Sequence, residues 1–181
     1  MKPTVALLAL LISSVVMAQG KDDDGKVKMK QPKSVKSSSA PVTHSEAKKI
    51  FEKAWNSLTK GLKFKGANPV KMVSDSKPVT KDEVLAGIKA IVTQTQPMFK
   101  RSATPTTFTA ARLRKTFDQK AYGKLIKDGF VMPVGPLATG QSTTLSTYEF
   151  GDAIGVLILR VSDLTHMPSR KFSPALMDGR G

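Results

Sequence analysis

Hydrophobic positions along this 181-residue chain fall into short runs of helical period, set between polar and Pro/Gly-rich stretches. From Thr43 to Lys60, Ala47, Ile50, Phe51, Ala54, Trp55 and Leu58 recur at three- and four-residue steps, while Lys48, Lys49, Lys53 and Lys60 lie off that stripe. This spacing predicts an amphipathic helix. The same stripe suits a helix lying on a membrane and a helix packing inward with Trp55 in the core; the inward helix is the expectation, because any surface helix is amphipathic. Leu62 and Phe64 alternate with Lys63 and Lys65, which predicts a short extended turn, and Gly66, Asn68-Pro69 and Lys77-Pro78 break up the connection that follows.

A second helix is predicted from Thr80 to about Val92, with Val84, Ile88, Ile91 and Val92 inward and Pro97 ending it. Ser102 to Thr109 is rich in Ser, Thr and Pro and reads as loop. Ala110 to Phe117 and Ala121 to Lys127 read as two short helices, with Asp118 a cap between them and Gly129 a C-terminal stop. Phe130 to Thr144 contains Pro133, Pro136, Gly135 and Gly140 and is expected to be an ordered loop. Ser146 to Val161 is the last strong helix, with Phe150, Ala153, Ile154, Leu157 and Ile158 inward. Beyond Ser162 the pattern weakens, and residues 178–181 should fray. The fold class is therefore mainly α: a compact bundle of short capped helices with ordered loops, spanning residues 43–165 and followed by a tail over 166–181.

Helix starts carry the sharpest local signal. Val79-Thr80-Lys81-Asp82-Glu83-Val84 and Leu145-Ser146-Thr147-Tyr148-Glu149-Phe150 share one pattern, and Thr43-His44-Ser45-Glu46 forms a further capping box. In each, the hydroxyl accepts a backbone N–H three residues on, while the glutamate reaches back to the cap's own N–H. Thr43, Glu46, Thr80, Glu83, Ser146 and Glu149 are accordingly assigned to structure. Val79 with Val84, and Leu145 with Phe150, stand where hydrophobic staples close. The two patterned helices also superpose at one offset: Val84 on Phe150, Gly87 on Ala153, Ile88 on Ile154, Ile91 on Leu157 and Val92 on Ile158. Agreement at cap, staple and buried face together favours a repeated unit. Small residues at Gly87 and Ala153 should admit close approach of another helix.

Ahead of the helices, Lys2 followed by the apolar run Val5–Val16 and then Val16-Met17-Ala18 reads as a cleaved signal peptide over residues 1–18. An uncleaved anchor is the alternative. The expected location is outside the cytoplasm: periplasm, cell surface or medium. Residues 19–42 hold Asp22-Asp23-Asp24, then Lys26, Lys28, Lys30, Lys33 and Lys36 spaced among polar residues, then a Ser-rich end, and read as a disordered basic linker. The aspartate run lacks the alternating ligands and distal glutamate of a calcium loop. No cysteine is present, which excludes disulfide stapling, thiolate metal sites and a lipobox anchor. About 140 residues remain after the linker, enough for one ordinary core.

The formal net charge of +15 barely changes when the signal is removed, since only Lys2 goes with it. Such a field attracts polyanions, although it also serves solubility and gives no specificity by itself. Reaction chemistry finds little support. The two histidines, His44 and His166, read as solvated surface residues, with no ligand spacing for a metal around them. No Gly-x-Ser-x-Gly elbow occurs. Gly135 to Thr143 shares the glycine spacing of a phosphate-binding loop, but Gln141 stands where that loop needs lysine. No catalytic residue, metal site or cofactor is assigned.

The segment from Thr116 to Val161 resembles the S-layer homology module. Phe117-Asp118 corresponds to its aromatic-Asp opening, Ala121 to Val131 to its first helix and glycine stop, and Leu145 to Phe150 to its Thr-Arg-Ala-Glu-like second helix start. Val79 to Val92 then resembles the closing helix of an earlier, degenerate copy. The tryptophan usual in the module's first helix is missing. The module's binding motif has a basic residue after the Thr; Lys81 matches it, and Thr147 does not. The resemblance implies a non-enzymatic, envelope-associated protein that holds an anionic cell-wall or envelope polysaccharide, or another surface polyanion, with Lys81 as the polymer-binding residue. No specific nucleic-acid partner is expected. A small secreted enzyme acting on envelope material, and a basic membrane-surface protein led by the 43–60 helix, are the alternatives; contact with a membrane, if any, would be at its surface.

Overall fold

A computed structural model describes residues 39–172, except positions 106, 108, 110 and 111. The expected signal peptide, the linker as far as residue 38 and the fraying 178–181 end lie outside the described residues. Within them the fold is mainly helical, as the periodicity predicts. Helix α1 spans His44–Leu62, α2 Lys81–Thr95, α3 Gln119–Lys127 and α4 Thr147–Thr165, with 3-10 turns at Gln96–Met98 and Ser169–Phe172. No helix among these residues is long and apolar enough to cross a membrane.

The stripe of α1 turns inward: Ala47, Phe51, Ala54, Trp55 and Leu58 are buried, and the Trp55 indole donates to the Gly66 carbonyl at 3.1 Å. Phe51 is the hub. Its ring meets Phe150 of α4 edge-on, centroids 5.2 Å apart, and lies against Gly87 of α2, where an added Cβ would come within 2.6 Å of it. Gly87 thus does what its size suggests and lets α1 and α2 close together. Packing reaches past the 43–165 span. Val42 is fully buried, and Phe172 covers Gly61 at the end of α1.

All three predicted capping boxes form. Thr43, Thr80 and Ser146 each accept the N–H of the glutamate three residues on, and that glutamate takes the cap's own N–H and hydroxyl. The three helix starts are also wired to one another in a closed cycle. The first helical amide of each donates to a carbonyl three residues before the next cap: His44 to Lys77 at 2.9 Å, Lys81 to Thr143 at 2.9 Å and Thr147 to Ala40 at 3.2 Å. Single antiparallel bridges follow the same rule, pairing Thr43 with Pro78, Thr80 with Thr144 and Ser146 with Pro41. Val42, Val79 and Leu145, the residues just before the caps, are buried at the centre of the cycle, with the Val79 amide on the Val42 carbonyl and the Val42 amide on that of Leu145. The first start therefore belongs to the same set as the two whose sequences superpose. Helix N-termini normally expose unpaired amides; here the cap hydroxyls, the glutamates and neighbouring carbonyls take up several of them in each start.

Four stretches differ from the sequence expectation. The helix foreseen over 110–117 is absent from its described part: only Arg112 has 3-10 geometry. Arg114 instead gives its backbone N–H to Ala138 and its Nε to Leu137, tertiary bonds that an α-helix there would forgo. Helix α2 runs three residues past Val92, because Pro97 is accommodated in a 3-10 turn rather than stopping the chain at once. Helix α4 continues to Thr165, with Val161 and Leu164 buried and the Thr165 hydroxyl folded back on the Val161 carbonyl at 2.7 Å. Residues 62–65 are not an extended turn: α1 runs on to Leu62, Lys63 caps it in the left-handed region, and Phe64 packs edge-on against Trp55. Asp118 caps α3 through the Ala121 amide, and Gly129, at φ 78°, ends it.

Candidate functional site

The first helical residue of each start gives its backbone N–H to the segment before the next cap, so His44, Lys81 and Thr147 hold equivalent places. Their surroundings differ. His44 is only 8% exposed and sits between two carboxylates, with Nδ1 2.6 Å from Asp75 Oδ1 and Nε2 3.1 Å from Glu83 Oε1. The bond from Asp75 raises its pKa above 6.5 against the opposing effect of burial, and Glu83 adds to the rise. His44 is therefore not the solvated surface histidine expected from the sequence. Asp75 and Glu83 lie 31 and 39 residues away, and no local pattern announces them. His166 is exposed, as expected, in the left-handed turn that caps α4.

Lys81 has the opposite environment. It is 3% exposed, and its Nζ donates to the Thr139 carbonyl at 3.2 Å. The loop covers it through Gly140, at φ 84°; a Cβ there would stand 3.4 Å from Nζ. Burial lowers the Lys81 pKa from 10.5, the neighbouring Arg114 lowers it further, and Glu149 of the next start partly offsets both. Arg114, its side chain 7% exposed, pairs with Asp82 and lies over the Phe117 ring at 5.7 Å. Arg114 thus has its own carboxylate, whereas the buried Lys81 ammonium rests on a carbonyl, in surroundings where a positive charge is costly unless an anion accompanies it. Thr147, in the third place, is uncharged.

Glu83, Glu149 and Glu46 have their carboxylates engaged in the caps, as predicted. Bonds from Thr80, backbone and hydroxyl, and from His44 outweigh burial and lower the Glu83 pKa. Loop 135–143 is packed rather than phosphate-cradling: Leu137 and Ala138 are buried, and the next helix begins only at Thr147. The apolar stripe of α1 is taken up inside the bundle, so the helix does not present it to a membrane.

No family model matches the chain, and no curated protein or solved structure matches it. The junction must be read on its own geometry. Sequence reasoning found Lys81 through its motif position. It missed Arg114, which stands in the basic run Arg112-Leu113-Arg114-Lys115 with nothing to mark it as buried.

Proposed function

We propose that this protein is exported and, without catalysing a reaction, attaches to an anionic envelope polysaccharide at the junction between the α2 and α4 starts. The observation that carries this reading is the buried Lys81 ammonium, held on the Thr139 carbonyl near Arg114 beneath the Thr139–Gly140 segment. An approaching carboxylate or phosphate that displaces the Thr139–Gly140 segment would meet both cations, and weak screening there would make each contact count for more than on the open surface. The net charge of +15 supports the reading by drawing polyanions toward the protein before any specific contact forms. The motif position of Lys81 supports it as well, through the resemblance to the S-layer homology module.

Co-sedimentation of the chain from Gln19 onward with purified cell envelope, across a salt series, tests it. Retention well above physiological salt is expected, with clear loss in Lys81→Met. Release of the wild type at modest salt would contradict a defined site, because diffuse surface charge is screened over a Debye length of about 8 Å at physiological ionic strength.

A further inference from the structure

A cleft lies at the opposite end of α2 from the capped starts. It has a volume of about 550 Å3 and opens between the last turns of α2, residues 99–103 and α3. Drug-sized ligands occupy pockets of about 300–1,000 Å3, so the space suits one small molecule. Leu125, Phe130 and Leu164, all buried, line its floor, and Phe99 stacks on Phe130 with ring centroids 5.9 Å apart. Lys89, Lys100, Arg101 and Lys124 stand around it. Its one lining carboxylate, Asp128, is paired with Lys124 at 2.7 Å, and Arg101 is paired with Asp163 outside the cleft. Lys89 and Lys100 carry charge that no carboxylate among the described residues neutralises. Lys89 also reaches over the Tyr122 ring, 5.8 Å from its centroid, at the point where a shallower groove lined by Pro69 and Tyr122 continues the cleft along α2.

An apolar floor beneath an unpaired cationic rim selects for two properties in one molecule. A bare polyanion would satisfy the lysines and leave the half-buried Phe99 ring wet. A neutral apolar chain would cover the floor and leave the lysines unmatched. We propose that this cleft binds a free single-chain anionic amphiphile, an alkyl phosphate or fatty carboxylate, with its headgroup between Lys89 and Lys100 and its chain across Phe99 and Leu125. The proposal is independent of polymer attachment at Lys81, which uses the other end of α2.

Calorimetric titration of the protein with dodecyl phosphate, kept below its micelle concentration, tests it. Inorganic phosphate supplies the charge alone and dodecyl maltoside the chain alone. One-site binding of dodecyl phosphate is expected, at least tenfold tighter than either control, and at least tenfold weaker in the double variant Lys89→Gln/Lys100→Gln. Both lysines are exposed, so that variant should melt with the wild type. Phe99→Ala should weaken dodecyl phosphate and leave the response to inorganic phosphate unchanged. A Lys60→Gln/Lys71→Gln variant removes the same charge elsewhere and should bind as the wild type does. Equal affinity for inorganic phosphate, equal loss in both lysine pairs, or undiminished binding in the Lys89/Lys100 variant would overturn the proposal. Binding of anionic phospholipid vesicles with no response to the monomeric amphiphile would overturn it too, and would point to a membrane surface instead.

Discussion

His44 and Lys81 occupy the same place in two equivalent helix starts, and the chain treats them in opposite ways. His44 is surrounded by acid: Asp75 on one ring nitrogen and Glu83 on the other. Lys81 is surrounded by its own kind, with Arg114 beside it and Glu149 as partial relief. The first junction is electrostatically complete and holds the linker after α1 against the start of α2. The second pairs Arg114 with Asp82 and leaves the buried Lys81 ammonium on the Thr139 carbonyl, under the packed 135–143 loop. One scaffold position can therefore serve as a fastening in one copy and as a candidate ligand site in another, and the decision rests with residues outside the repeated motif.

The largest test removes what both junctions stand on. Phe51→Ala takes away the ring that joins α1 to Gly87 and Phe150, and should destabilise by about 3–5 kcal/mol in chemical denaturation. A loss under about 1 kcal/mol would mean that the hub is not shared. Next come the caps. Thr80→Ala and Ser146→Ala should each cost about 0.5–2 kcal/mol, with Thr80→Ala the larger because Glu83 also holds His44. Unchanged melting in both would remove the cyclic arrangement from the account.

Acid–base behaviour sharpens the contrast further, since the two junctions should give opposite slopes. His44 binds its proton more tightly in the folded state, so its contribution is fully present below pH 6.5 and is lost as pH rises through the raised folded value. Lys81 binds its proton less tightly when folded, so stability should rise with pH in the alkaline range approaching 10.5. Thermal melts of His44→Gln should lose the first slope and keep the second; Lys81→Met should do the reverse. A His44→Gln variant that follows the wild-type pH profile would contradict the carboxylate clamp.

Much of the fold was legible because its signals are local. A capping box is read within four residues, and the buried face of α4 follows from Phe150, Ile154, Leu157 and Ile158 alone. What stayed hidden depends on distance. Nothing near Pro41, Pro78 or Thr144 says that they meet the three caps, and so the closure into a cycle was not foreseen. The failed helix near Arg114 has the same cause: local propensity gave way to bonds with Leu137 and Ala138, more than twenty residues on. Lys81 was picked out by motif, but its burial and its neighbour Arg114 come only from the packing of loop 135–143 over α2.

Envelope co-sedimentation of Lys81→Met beside His44→Gln, at one fixed ionic strength above physiological, bears most directly on the central claim. Met preserves much of the buried volume and removes a desolvated charge, so Lys81→Met should melt at or above the wild-type temperature near neutral pH yet lose retention. His44→Gln should melt lower at pH 6 and still be retained. Equal retention of both variants would contradict the assignment of polymer binding to the Lys81 junction.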